Sequence, residues 1–386
     1  MSGLVHSVAE LALAPDAPRS PTRRVLCRIA HALLTRTNGP WLTACECVQR
    51  QCDAVLLLYP FAEVPASVRA ERADATYLTC AVALAQDTHR PFSFWLQCVY
   101  ELDRAILHTR PPDLTIAHAL LAAVQDHCPV PRPLRRSPRL QRQIYAPPRT
   151  VPTATRPVPD YAVPPDAATF SAHCGPTGRP LVVRGYAQSW PALVRWQDIH
   201  YLLHRAGPGR HVPVEKGRTY TDLTWGQVLY PWDAFLTHIQ WGSTAALRAP
   251  ILYLAQHTLL AQFPWMADDF TPPAYAAHDA RVQVWMGPAG ATSPAHTDPY
   301  DNCYVQVVGH KLVWLAPPTS NCTGALNVFG GPDDTDICTR HMRNTSQVNV
   351  FGPRTAAPAA FRTQVVPSAE WVYLHPGDLL LHHTGM

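Results

Sequence analysis

The sequence predicts an α-helical N-terminal domain followed by an all-β domain of the sandwich or barrel kind. Three observations predict it. Before residue 128, apolar residues recur at helical spacing in segments parted by proline-bearing breaks. After residue 165 the pattern changes to short apolar runs with period-2 alternation, closed by glycine turns. Between the two, residues 128–165 hold 11 of the chain's 40 prolines, which marks them as connection rather than core.

Taken in order, the first helix starts near Thr22, which can cap it. Its apolar positions are Val25, Leu26, Ile29 and Leu33, and Asn38-Gly39-Pro40 ends it. Four further helices are expected from about Leu42 to Leu58, Val68 to Leu84, Phe92 to Leu107 and Leu114 to Val124. Short connections between helices of this length predict an antiparallel array over residues 1–127. No fixed-period repeat and no catalytic constellation occur there, so the array is expected to dock a partner.

The stretch 128–165 should be an extended linker, because proline lacks the backbone donor and restricts its neighbours. It carries Arg132, Arg135, Arg136, Arg139, Arg142, Arg149 and Arg156 against the single acid Asp160, a local charge of +6. The formal charge of the whole chain is only +4, so its basic character belongs to this segment. The arginines can contact nucleic acid or chromatin, bind an import factor, or only solvate the linker.

Residues 166–386 are expected to form the β domain. Pro180 to Gly185 reads as a strand closed by glycine, and Arg281 to Gly287 alternates polar and apolar residues as a half-buried strand does. Tyr304 to Leu315 reads as two strands joined in a hairpin at Val308-Gly309-His310. Trp371 to Leu374, the turn His375-Pro376-Gly377-Asp378 and Leu379 to Leu381 read as a second strand pair. Many short antiparallel strands in one domain predict a sandwich or barrel.

Composition excludes several classes. With 47% hydrophobic and 16% charged residues the chain is globular rather than disordered. It has no run of about 18 apolar residues, so no membrane span is expected. Met1 to His6 lacks the basic start of a secretory signal. The 11 cysteines include no C-x-x-C pair, and their scatter predicts reduced thiols in the nucleus or cytoplasm. Cys45, Cys47 and Cys52 lie together on one expected helix and are a minor candidate for a metal site.

The motif that carries chemistry is His296-Thr297-Asp298, inside Gly287 to Pro299. On an extended segment, side chains two residues apart point to the same side. The pair therefore supplies two of the three ligands of a 2-His-1-carboxylate facial triad, the cage for non-haem Fe(II) that binds O₂. An oxygenase that uses a 2-oxoacid must also anchor its far carboxylate on a cation. Lys311, at the start of an apolar strand (Leu312, Val313, Trp314), is the candidate.

Several stretches resemble, in order, a known family. They are Arg179-Pro-Leu-Val-Val-Arg-Gly185, Val212-Pro-Val-Glu215 with Tyr220-Thr-Asp222, Tyr253-Leu-Ala-Gln-His257, Trp285 to Asn302, Gly309-His-Lys311 and Asn344-Thr-Ser-Gln347. Together they resemble the Jumonji-C (JmjC) domain of the Fe(II)- and 2-oxoglutarate-dependent oxygenases, and within it the lysine demethylase 8 or arginyl hydroxylase subgroup. The resemblance implies a double-stranded β-helix (cupin) catalytic domain behind an α-helical N-terminal domain. It implies Fe(II) on His296 and Asp298, and 2-oxoglutarate held by Tyr253, Ser293, Asn302 and Lys311. Glu215, Trp225 and Trp285 fall on positions that receive the substrate side chain. A carboxylate and tryptophan faces suit a guanidinium physically.

The implied activity is hydroxylation of a protein arginine or demethylation of a methyl-lysine, as in a histone demethylase that regulates chromatin in the nucleus. The family's distal His ligand is expected beyond Met386, so the resemblance implies a chain without its final strand. His382 and His383 are the substitutes at hand, yet they come early by about 15–20 Å of contour, at roughly 3.3 Å per residue. The alternative expectation is therefore a catalytically impaired form that serves as an interaction module.

Overall fold

The computed structural model describes residues 2–13, 20–59, 63–86, 89–108, 114–129, 151–174, 178–217, 225–241, 251–276, 279–319, 324–326, 328 and 344–384. The linker arginines from Arg132 to Arg149 and the Tyr220-Thr-Asp222 stretch lie outside the described residues.

Among the described residues, the N-terminal part is an array of six helices: α1 (Ser2–Ala12), α2 (Pro21–Leu34), α3 (Trp41–Leu58), α4 (Ala66–Ala85), α5 (Phe92–His108) and α6 (Leu114–Gln125). Five were expected from apolar periodicity; α1 was not. The cap of α2 is Ser20 rather than Thr22. The Ser20 hydroxyl accepts from the Arg23 amide and Pro21 fills the first helical turn, where a missing N–H costs nothing. Helix α4 is the hub, buried from Glu71 to Leu84 except Thr79, against Leu26, Ile29, Cys45, Trp95, Leu102 and Leu120 of its neighbours. Among the described residues, Cys45 and Cys52 are buried, Cys47 is exposed, and no group of metal-holding side chains includes them. No helix among the described residues is long and apolar enough to cross a membrane.

The C-terminal part is built on strands but is not free of helix. Its strands are β1 (Arg156–Pro157), β2 (Asp160–Tyr161), β3 (Leu181–Val183), β4 (His211–Lys216), β5 (Gly226–Pro231), β6 (Leu252–His257), β7 (Val284–Met286), β8 (Asn302–Val305), β9 (Lys311–Leu315), β10 (Glu370–Leu374) and β11 (Leu379–His382). Helices α7 (Ala167–Cys174), α8 (Ala192–Arg195), α9 (Ile199–Ala206), α10 (Trp232–Trp241) and α11 (Leu259–Gln262) are interspersed. Three sheets result, with orders β1-β10-β9, β2-β3-β11-β8 and β5-β4-β6-β7.

Two expected hairpins are not hairpins. β8 pairs with β11, and β9 pairs with β10, so each tight turn carries the chain from one sheet to the other. The physical reason lies in the turns. Gln306 N donates to Asp378 O, and Gly377 N donates to Gln306 O, so the two turns bond each other rather than close ladders of their own. Gly309 (φ +72°) and Gly377 (φ +95°) supply the left-handed backbone that these corners need. Leu379, Leu380 and Leu381 are all buried, as they must be on a strand with neighbours on both edges and both faces.

Residues 151–161, inside the stretch expected as linker, are packed. β1 adds in parallel to β10, and β2 adds in parallel to β3. Val151, Thr153 and Val158 are buried beneath them. Pro157 can end such an edge strand because one side of it needs no donor.

The helical array meets the sheets through a buried charge. Asp103 of α5 is wholly buried and accepts from Arg210 Nη2 at 2.8 Å, the His211 amide at 2.8 Å and Gln262 Nε2 at 2.9 Å. Arg210 also donates to the Gln262 carbonyl at 2.8 Å and lies over the Phe263 ring. Gln125 Nε2 of α6 reaches the carbonyls of Ala206 and Pro208. A carboxylate this deep is tolerable only because every lone pair is met by a donor.

Candidate metal centre and ligand pocket

The segment after β7 carries His296 and Asp298. It is held by an isolated bridge between His296 and Thr345, with Thr297 N donating to Asn344 O and Ser346 N to Ala295 O. The extended backbone brings the two side chains together as the H-x-D spacing requires, His296 Nε2 lying 3.9 Å from Asp298 Oδ1. His296 Nδ1 lies 2.7 Å from the Pro294 carbonyl. A carbonyl only accepts, so Nδ1 carries a proton and donates it to that hydrogen bond, leaving Nε2 directed at Asp298. A histidine that ligates a metal is oriented in this way.

Lys311 opens β9 and points into the interior. Its Nζ lies 5.0 Å from the centroid of the Tyr304 ring. Burial pulls its pKa down to about 8, and among the described residues no carboxylate pairs with it. Tyr304 is itself pushed well up by burial, donates its hydroxyl to Gln306 Oε1 and has Trp285 at a ring-centroid distance of 6.3 Å. Sequence reasoning missed Tyr304, although its alternation with Asn302 on β8 gave the signal.

Tyr253 on β6 stands opposite Glu215 on β4. Burial raises the Tyr253 pKa to about 12, with a hydrogen bond to Ser293 opposing the rise. Gly287 makes room for its ring, since a Cβ there would lie 2.5 Å from Tyr253 Cδ2. Burial also raises the Glu215 pKa, opposed by a hydrogen bond with Trp225. Glu215 lines a cavity of about 150 Å³ whose walls include Gln227, Gln256 and His257. None of the last three was anticipated; Gln256, at φ +49°, sits at the irregular pairing between β6 and β7. Asn302 donates from Nδ2 to the Tyr300 carbonyl rather than into the interior.

The two terminal histidines diverge. His383 is buried with Nδ1 2.8 Å from Thr384 O and Nε2 3.0 Å from Gly178 O, so its ring is committed to backbone. His382 lies across from Asn302 in the β11–β8 register. β11 runs beside β8, which begins four residues after Asp298. Thr384 ties the end of β11 to the segment after the H-x-D pair, its Oγ1 donating to Asp298 O at 3.1 Å and its amide to Asp301 Oδ1 at 2.8 Å. Burial holds the His382 imidazole below its usual range, and Asp298 and His296 both influence it. Among the described residues, no group of three or more His, Cys, Asp or Glu side chains is placed to hold a metal ion.

A site of this kind on mixed sheets defines a class. The chain belongs to the cupin-like domain family, whose profile matches residues 167–382. It is 36% identical over 225 residues to Jumonji C domain-containing protein 5 of Drosophila melanogaster, covering 55% of this chain and 53% of that protein. It is 34% identical over 195 residues to Lysine-specific demethylase 8 of Xenopus tropicalis, covering 49% and 40%. It is 35% identical over 208 residues to Lysine-specific demethylase JMJ30 of Arabidopsis thaliana, covering 52% and 46%. These relatives bear out the JmjC oxygenase resemblance read from the residues. The chain spans about half the length of the curated relatives it matches.

Proposed function

We propose that the chain is an Fe(II)- and 2-oxoglutarate-dependent oxygenase acting on a protein side chain, on a core of double-stranded β-helix type. The observation that carries this reading is Lys311, a largely buried cation without an acidic partner among the described residues, in the same domain as the H-x-D pair. Burying an unpaired ammonium is costly, and a site that keeps one needs an anion. The far carboxylate of 2-oxoglutarate would supply it, with the Tyr253 and Ser293 hydroxyls as further candidate donors.

His296 Nε2 and Asp298 offer one nitrogen and one carboxylate, a donor set that fits Fe(II). Iron bound there with a 2-oxoacid supplies the oxidising power that inserts oxygen into a C–H bond. The protein's own work is positioning. Lys311 fixes one end of the cosubstrate by charge, and Tyr304 and Trp285 wall the space from water. Glu215 is poised to receive a cationic side chain, with Trp225 and Trp285 offering faces for it.

Arginine hydroxylation and methyl-lysine demethylation both fit that pocket. Two relatives are named lysine-specific demethylases, which supports the second; the planar fit of guanidinium to a carboxylate and indole faces supports the first. The test is succinate release by the full chain with Fe(II), 2-oxoglutarate and arginine- or methyl-lysine-bearing peptides. Turnover lost on His296→Ala supports the reading; succinate release indifferent to that change sinks it. The open ligand set favours one second reading, a chain that holds partners without turnover, with the arginine-rich stretch offered to chromatin or an import factor.

A further inference from the structure

The cavity beside Glu215 owes one wall to a break in strand β6. On a regular strand, neighbouring side chains point to opposite faces, yet Ala255, Gln256 and His257 all line this cavity. The pairing of β6 with β7 shifts register between Leu254 and His257, and Gln256 has a left-handed φ of +49° there. A bulge of this kind re-aims side chains. Left-handed backbone at a residue other than glycine is costly, and it clusters at ligand sites.

The His257 ring is fixed by a chain of hydrogen bonds that starts in the helical array. Gln262 Nε2 donates to Asp103 Oδ1 at 2.9 Å and to the His211 carbonyl at 2.9 Å. Both partners only accept, so Gln262 presents its amide oxygen to His257. His257 Nε2, 2.8 Å from that oxygen, therefore carries a proton. Burial holds the imidazole below its usual range, opposed by Gln262 and Asp103, so the neutral ring keeps its lone pair on Nδ1. Nδ1 meets no donor among the described residues. The polar side chains lining the cavity are Glu215, two glutamines and this imidazole, with no lysine or arginine beside them.

We propose that His257 contacts the substrate peptide, its Nδ1 accepting a main-chain N–H beside the cationic side chain held by Glu215, with Asp103 and Gln262 as the residues that position it. This deepens the reading of a protein substrate given above and rests on it. Glu215 stands opposite Tyr253, and His257 lies four residues further along β6, roughly 13 Å of strand. The carboxylate takes the cation, and the neutral nitrogen takes an uncharged N–H of the adjoining chain, which offers one at nearly every residue.

The test uses the full chain with capped Ala-Arg-Ala and Ala-methyllysine-Ala peptides, each main-chain amide N-methylated in turn. Nitrogen NMR of the imidazoles, assigned by loss of a signal in His257→Phe, should show His257 protonated at Nε2 alone, and peptide should shift its Nδ1 resonance. N-methylation of one amide should weaken binding by about threefold to tenfold, the worth of one hydrogen bond, in wild type but not in His257→Phe. Gln262→Met should move part of the proton to Nδ1 and lose a similar factor, an effect on the tautomer that a merely structural role would not produce. The wild-type spectra decide without a variant, should either fail to fold. A wild-type His257 proton on Nδ1, or N-methylation costs equal in wild type and His257→Phe at every amide, overturns this inference while the Glu215 pocket stands. Peptides that bind wild type no better than Glu215→Ala overturn that pocket and this inference with it.

Discussion

Lys311 sets the pH behaviour of the pocket. Its pKa is drawn down to about 8 by burial, below the value of about 10.5 it has when unfolded. Between these values the unfolded chain holds a proton that the native chain has lost, so native stability rises with pH across about 8 to 10.5. The full effect is about 3 kcal/mol at roughly 1.4 kcal/mol per pKa unit. Lys311→Met should flatten that rise in urea-melt midpoints taken from pH 7 to 10. For the ligand the sign is opposite. 2-Oxoglutarate affinity should hold below pH 8 and fall above it as the ammonium deprotonates, and calorimetry at pH 7 and pH 9 reads the difference directly. Gly287 yields a second expectation at this scale. A methyl group there strikes the Tyr253 ring at 2.5 Å, so Gly287→Ala should cost about 1–3 kcal/mol, typical of overpacking, and weaken 2-oxoglutarate binding with it. An unaltered melting temperature and an unaltered Kd would refute that.

At the scale of elements, the corner where β8–β9 and β10–β11 cross between sheets depends on one carboxylate. Asp378 accepts from Arg184 Nη1 at 2.7 Å, the His375 amide at 2.9 Å and the Gly185 amide at 3.0 Å. Asp378→Ala should destabilise by about 2–3 kcal/mol, because it strands two amides and a guanidinium nitrogen; a shift in denaturant midpoint of less than half that would argue against it. This corner also shows where sequence reading stops. The strands flanking Gly309 and Gly377 were legible from alternation and turn residues, and so were five helices from their periodicity. Which strand pairs with which was not legible, because adjacent strands joined by a turn are the local default and the cross-sheet bonds join residues some 70 positions apart (Gln306 with Asp378). Lys311 was legible as a charge heading an apolar strand, and His296 and Asp298 as a pair at H-x-D spacing. Tyr304 and Gln227 carry no such mark.

Across the whole molecule, the helical array is joined to the sheets by the Asp103–Arg210 pair, whose side chains are almost wholly buried. Asp103→Ala should cost about 3–5 kcal/mol, the range for a buried charge robbed of its partner. Asp103→Leu combined with Arg210→Met should recover much of that loss, since two apolar groups of similar size avoid the stranded charge; a double variant no better than Asp103→Ala would contradict it. The consequence reaches past this one chain. Asp103 also accepts a hydrogen bond from Gln262 Nε2, and Gln262 Oε1 accepts from His257 Nε2 at the end of the strand that bears Tyr253. Positions 103, 210 and 262 therefore cannot drift independently during evolution. In homologous chains they should change as a set, all polar or all apolar, and a lineage that keeps the arginine while losing the aspartate would have had to reshape the joint between its two halves.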